Sequence, residues 1–147
     1  MKIVYIGSGE FGIECLNELV QSGNSPELII TQMPQPAGRG RKLTPTPVAC
    51  WTAQQKVTIP YIETDNVNTP QIIDKVAALR LDLIVVIAFG QKIGNELIRL
   101  PAKGAINVHA SLLPKYRGAA PINWAIINGE KHTGISITTL AGKAYAG

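Results

Sequence analysis

A chain of 147 residues fits one domain and leaves little room for a second. With 46% hydrophobic and 16% charged residues it has the composition of an ordinary globular protein, which excludes a disordered or fibrous chain. A net charge of +4 is a modest excess that suggests an anionic partner, and the most apolar stretch, residues 83–89, is far below the ~20 residues of a membrane span, so the protein reads as cytoplasmic.

Taken in chain order, short β-rich runs alternate with helical periods. Residues 2–6 read as a strand, followed by Gly7, Gly9 and Gly12 in a G-x-G-x-x-G turn and a helix over 11–20 that stops at Gly23. Residues 28–31 form a second strand. Residues 33–47 hold four of the ten prolines, which predicts a long loop with neither helix nor strand. Within it Arg39, Arg41 and Lys42 make a basic cluster, and Lys115 with Arg117 makes a second. A helix over 48–55 and a strand over 58–62 come next. Thr69 and Pro70 open a helix to about residue 79. Residues 81–88 are nearly all apolar, as in a central parallel strand buried on both faces. A short helix over 93–99, a strand over 105–108, a helix over 121–128 and a strand over 133–140 complete the series. The two cysteines, Cys15 and Cys50, fall in helical segments and read as free thiols, with a single disulfide as the alternative.

Such alternation predicts a Rossmann-like α/β fold: a single domain built on a doubly wound, mostly parallel sheet. These sheets bind ligands beyond the C-terminal ends of their strands. The glycine turn alone suggests a dinucleotide site, but that site needs an acidic residue at the end of the second strand. Here the strand ends Thr31-Gln32. Tight strand-to-helix packing is the better reason for the glycines.

Asn107 and His109 stand two apart at the end of a strand, so period-two geometry puts both side chains on one face. An amide that donates to a developing oxyanion, beside an imidazole that moves protons, suits acyl transfer. A satisfied polar pair closing a strand is the alternative. Ser111 lies nearby, but the G-x-S-x-G turn that exposes a serine nucleophile is absent.

Asn107-Val-His109, then Ser111-Leu-Leu-Pro114 and Arg117-Gly-Ala-Ala-Pro121, closely resemble the signature of the folate-dependent formyltransferases. Ala88-Phe-Gly-Gln91 and Thr133-Gly134 stand where that family has similar residues. The segment from Pro36 through Leu43, with Pro45 and Pro47, is similar to the insertion that marks the methionyl-tRNA members. The resemblance covers essentially the whole chain. It implies 10-formyltetrahydrofolate as donor, bound by Phe89, Gly90 and Gln91 and by Ser111, Leu112, Leu113 and Pro114, with no metal. It implies the amino group of a methionine on initiator tRNA as acceptor. Asn107 and His109 are then catalytic, and Arg39, Arg41 and Lys42 bind tRNA phosphates.

Two departures stand out. The family carries an aspartate in a D-x-G stretch after the Thr-Gly strand, and in that register this chain has Tyr145. A phenol cannot orient a histidine as a carboxylate does, so weak or absent activity is expected. The family also continues past the point where this sequence stops at Gly147, through the end of the catalytic domain to a C-terminal tRNA-binding barrel, so residues 1–147 read as an incomplete N-terminal domain. The alternatives are a non-catalytic folate- or tRNA-binding remnant, a formyltransferase acting on an amino sugar or other small amine and, more distantly, a nicotinamide oxidoreductase.

Overall fold

A computed structural model describes residues 1–55 and 58–140. Its centre is a six-stranded sheet in the order β5-β2-β1-β6-β7-β8, built from β1 (Ile3–Gly7), β2 (Leu28–Gln32), β5 (Tyr61–Thr64), β6 (Leu83–Ile87), β7 (Ala105–His109) and β8 (Ser136–Thr139). Every pairing is parallel except that of β7 with β8. The chain runs outward from β1 through β2 to β5, then returns to place β6 on the other side of β1. That reversal makes the β1/β6 boundary the switch point of the sheet.

Alternation along the strands sorts the core into two layers. Val4, Ile6, Ile30, Ile84, Val86 and Ala105 face α3 (Pro70–Ala78) and α4 (Asn95–Arg99), meeting Ile72, Val76 and Leu97. Ile3, Tyr5, Ile29, Val85 and Ile87 face α1 (Ile13–Gln21) and α2 (Pro47–Ala53), meeting Leu16, Val48 and Trp51. Helices therefore cover both faces, as a sheet of near-continuous apolar strands requires. The fifth helix, α5 (Pro121–Ile127), buries only Ala125 and leaves Trp124, Ile126 and Ile127 exposed.

The proline-rich segment departs from the loop expected for it. It forms a two-stranded antiparallel ribbon, β3 (Gln35–Ala37) with β4 (Lys42–Thr44), pairing Pro36 with Leu43. An isolated ribbon has an outer edge where a missing N–H is harmless, so proline is tolerated there. The fifth strand also starts later than expected, at Tyr61, because Pro60 enters the pairing only through its carbonyl, which accepts from the Ile29 N–H at 2.9 Å. Cys15 and Cys50 are both free thiols.

The glycine turn is a packing device. A Cβ at Gly7 would strike the Ile87 carbonyl oxygen, and one at Gly12 would strike the Tyr5 hydroxyl. The Ser8 and Gly9 N–H groups both donate to the Ala88 carbonyl, at 3.3 and 3.2 Å. Those are the donors that a phosphate would need.

Candidate active site

Asn107 and His109 continue the alternation begun by Ala105, and both line a cavity of about 590 Å³ at the C-terminal ends of β6 and β7. Phe89, Gly90 and Gln91 line the same cavity, opposite residues 118–121. Five of the residues singled out from the sequence thus meet in one cavity. Tight backbone turns shape its walls. Ala88 and Gly90 adopt positive φ of 47° and 81°, and Gly118 and Ala120 adopt 101° and 54°. Positive φ is unfavourable for alanine, and at Ala88 the two hydrogen bonds from Ser8 and Gly9 hold it in place. Gln91 is anchored from behind: its Oε1 accepts from Val67 N–H at 3.0 Å and its Nε2 donates to the Thr64 carbonyl at 3.4 Å.

His109 is buried, and its Nε2 lies 2.8 Å from the carbonyl oxygen of Tyr116. A carbonyl only accepts, so Nε2 carries a proton in this arrangement. Tyr116 itself has a positive φ of 55° and is pinned from outside. Its hydroxyl donates to Glu130 Oε1 at 2.8 Å, and Lys115 Nζ donates to the same oxygen at 2.9 Å. Glu130 is held below the usual carboxylate range, first by the Lys115 hydrogen bond and then by that of Tyr116. Lys115 is pushed up by the same contact. Glu130 thus clamps the loop that presents a carbonyl to the imidazole. Sequence reading identifies Lys115 only as a basic residue and misses Glu130 and Tyr116, because the clamp joins residues 15 positions apart through a loop of irregular backbone.

Ser111, Leu112, Leu113 and Pro114 do not line this cavity. Ser111 is fully buried, and its hydroxyl donates to the Lys115 carbonyl at 2.7 Å, an arrangement that makes it a loop staple and no nucleophile. Ser136 ties the same loop to β8: its hydroxyl donates to the Ser111 carbonyl at 2.8 Å and accepts from Leu113 N–H at 3.0 Å. Leu112 packs on Gly134, where an added Cβ would meet its Cδ2 at 2.6 Å, which explains the glycine of Thr133-Gly134. Arg39, Arg41 and Lys42 are exposed at and beside the turn of the β3–β4 ribbon. Among the described residues the one ion pair is Lys115–Glu130, so the three cations have no acidic partner there. Tyr145 lies outside the described residues. A larger concavity of about 820 Å³ holds Cys15, Cys50, Glu10, Glu14 and Trp51 but brings no amide and imidazole together. No group of three His, Cys, Asp or Glu able to hold a metal occurs among the described residues, and no helix there is long and apolar enough to cross a membrane.

Residues 1–145 match the sequence profile of a family described as formyl transferase. The chain is 45% identical over 136 residues to the methionyl-tRNA formyltransferase of Geobacter sulfurreducens, covering 92% of this chain and 42% of that protein. It is 44% identical over 147 residues to the methionyl-tRNA formyltransferase of Halalkalibacterium halodurans, covering all of this chain and 46% of that protein. It thus spans less than half the length of these relatives. Among solved structures, phosphoribosylglycinamide formyltransferase from Bacillus halodurans superposes with a TM-score of 0.76 at 20% identity, covering 100% of this chain and 75% of that one. A sugar N-formyltransferase from Shewanella sp. gives 0.64 at 17% identity, covering 100% and 54%. At these identities the two structures attest the fold, which is the Rossmann-like one.

Proposed function

The chain belongs to the formyl transferase family, and on that footing we propose that it carries the donor site and catalytic pair of an enzyme that moves a formyl group from 10-formyltetrahydrofolate to the amino group of methionyl initiator tRNA. The observation that carries this reading is the convergence of Asn107 and His109 in one cavity with Phe89, Gly90 and Gln91. A cavity of about 590 Å³ is in the range of small-molecule sites, about 300–1,000 Å³. Its apolar walls and backbone turns suit a flat heterocyclic carrier. Ser111, Leu112, Leu113 and Pro114 lie in the loop after β7, outside the lining of this cavity.

In this reading the acceptor nitrogen adds to the formyl carbon. The Asn107 amide donates to the oxyanion that forms, the interaction that contributes most to such reactions. His109 takes a proton from the attacking nitrogen and returns one to the departing nitrogen of the donor as the old C–N bond breaks. The products are a formylated amine and the deformylated carrier. Arg39, Arg41 and Lys42 take tRNA phosphates, as exposed cations do, positioning the acceptor without reading its sequence. The setting is the cytoplasm, where tRNA and folate meet.

Tyr145 in the aspartate's register makes this chain a slow enzyme as it stands, and a binding remnant is the second reading it favours. Assay of formyl transfer to methionyl-tRNA, beside calorimetric titration with a folate analogue, separates the two. Slow turnover that rises in Tyr145→Asp supports the enzyme, whereas binding with no turnover in either form supports the remnant. An acceptor such as an amino sugar would be supported by full activity in a chain neutralised at Arg39, Arg41 and Lys42.

A further inference from the structure

A second cavity, of about 430 Å³, opens at the C-terminal ends of β1, β2 and β6, astride the switch point of the sheet. It shares Ala88, Phe89 and Gly90 with the cavity of Asn107 and His109, so the two are neighbours across one loop. Its far side is the β3–β4 ribbon, through Gln35, Ala37 and Thr44. It therefore lies between the exposed cations and the proposed chemistry.

Its lining carries no charged side chain. The turn N–H groups at Ser8 and Gly9 are committed to Ala88. The Ser8 hydroxyl accepts from the Gln32 N–H at 2.9 Å, and the Thr46 hydroxyl accepts from the Ala49 N–H at 3.1 Å and shares a hydrogen bond with the Thr31 hydroxyl at 2.7 Å. A phosphate would find no counter-charge there. What is available is a pair of glutamines. The Gln32 side-chain amide makes no hydrogen bond among the described residues. Gln35 uses its Nε2 on the Met33 carbonyl at 3.3 Å and leaves its Oε1 unengaged among those residues. Around them Ala37, Pro45, Pro47 and Ala88 give flat apolar walls. Two amides offering both donors and acceptors, between surfaces on which a ring can lie, match the hydrogen-bonding edge of a purine. The residue at the end of β2, which in a dinucleotide site is an acid for the ribose, is here Gln32.

We propose that this cavity receives the terminal adenosine of the nucleic-acid acceptor, with Gln32 and Gln35 reading its base. The inference rests on the tRNA reading above and deepens it. Phosphates engage the ribbon, the last nucleoside drops into the uncharged cavity, and the amino acid esterified to its ribose passes over Phe89 and Gly90 toward Asn107 and His109.

The test is fluorescence anisotropy on the full chain with three labelled acceptor-stem RNA hairpins: one ending CCA, one ending CCC and one lacking the last nucleoside. The first should bind about tenfold more tightly than the other two, the scale of one good amide–adenine pair. Gln32→Leu and Gln35→Leu should each reduce that ratio, and Gln35, being exposed, can be changed without disturbing the core. The dependence of affinity on salt should stay as in the parent. Three hairpins that bind alike, or a preference that survives both substitutions, overturn the adenosine site while leaving phosphate binding in place. Failure of all three to bind overturns the tRNA reading itself.

Discussion

Tyr5 and Gly12 form a pair whose coupling follows from the packing of the glycine turn. Tyr5 is fully buried, and its hydroxyl has no hydrogen-bond partner among the described residues. Burial, with a smaller contribution from Cys15, pushes its ionisation well above the usual range. An unsatisfied buried hydroxyl costs about 1–3 kcal/mol. Tyr5→Phe removes it at nearly constant shape and should stabilise the protein by about 1 kcal/mol. Gly12→Ala should do the reverse. Its φ of −86° is open to alanine, so the backbone gives no penalty and the unfolded chain loses about 0.4–1 kcal/mol of freedom. The new Cβ, however, collides with the Tyr5 hydroxyl, and overpacking of this kind costs about 1–3 kcal/mol. In the Tyr5→Phe background the colliding atom is gone and the next contact, ring Cζ, is at 3.2 Å, which small shifts relieve. The cost of Gly12→Ala should then shrink to near zero, giving a coupling of about 1–3 kcal/mol between the two sites. Urea unfolding of the parent, both single variants and the double variant measures it. An equal cost of Gly12→Ala in both backgrounds would refute the packing account of the turn.

Three further outcomes follow from the site. In a Tyr145→Asp background, Asn107→Ala should lower kcat for formyl transfer by about a hundredfold to a thousandfold, the effect of one lost oxyanion donor, and an unchanged kcat would remove Asn107 from the chemistry. Neutralising Arg39, Arg41 and Lys42 together should make the log–log salt dependence of RNA affinity shallower by roughly 2–3, and an unchanged slope would place the phosphates elsewhere. The Glu130 clamp should be fully formed above the ordinary glutamate range, about pH 4.3, and lost as pH falls through the lowered value of Glu130. NMR titration of the Tyr116 ring should show that transition in the parent and lose it in Glu130→Gln; a transition that persists in the variant assigns it to another group.

The strands were legible because their apolar character is continuous and the sheet is covered on both faces. Residues 81–88 could hardly be anything but a central strand, and β6 occupies Leu83–Ile87. Asn107 and His109 were legible because a strand's period of two puts them on one side whatever the partners are. The ribbon at Gln35–Ala37 and Lys42–Thr44 was hidden by prolines, whose usual message is loop. Ser111 carried a recognisable motif, but its hydroxyl turns inward to Lys115, a choice set by loop geometry that no spacing rule encodes. The same holds for Tyr116 and Glu130, whose contacts depend on a positive φ at Tyr116. The void flanked by Gln32 and Gln35 exists only once the ribbon folds back over the ends of β1 and β2.

The chain has two histidines, His109 in the proposed site and the exposed His132, so the imidazole resonances provide a probe with its own internal control. Titration with a non-transferring analogue of 10-formyltetrahydrofolate, followed through those resonances, should move the His109 signals saturably and leave His132 in place. An analogue that binds while His109 stays unmoved would contradict the assignment of this cavity to formyl transfer.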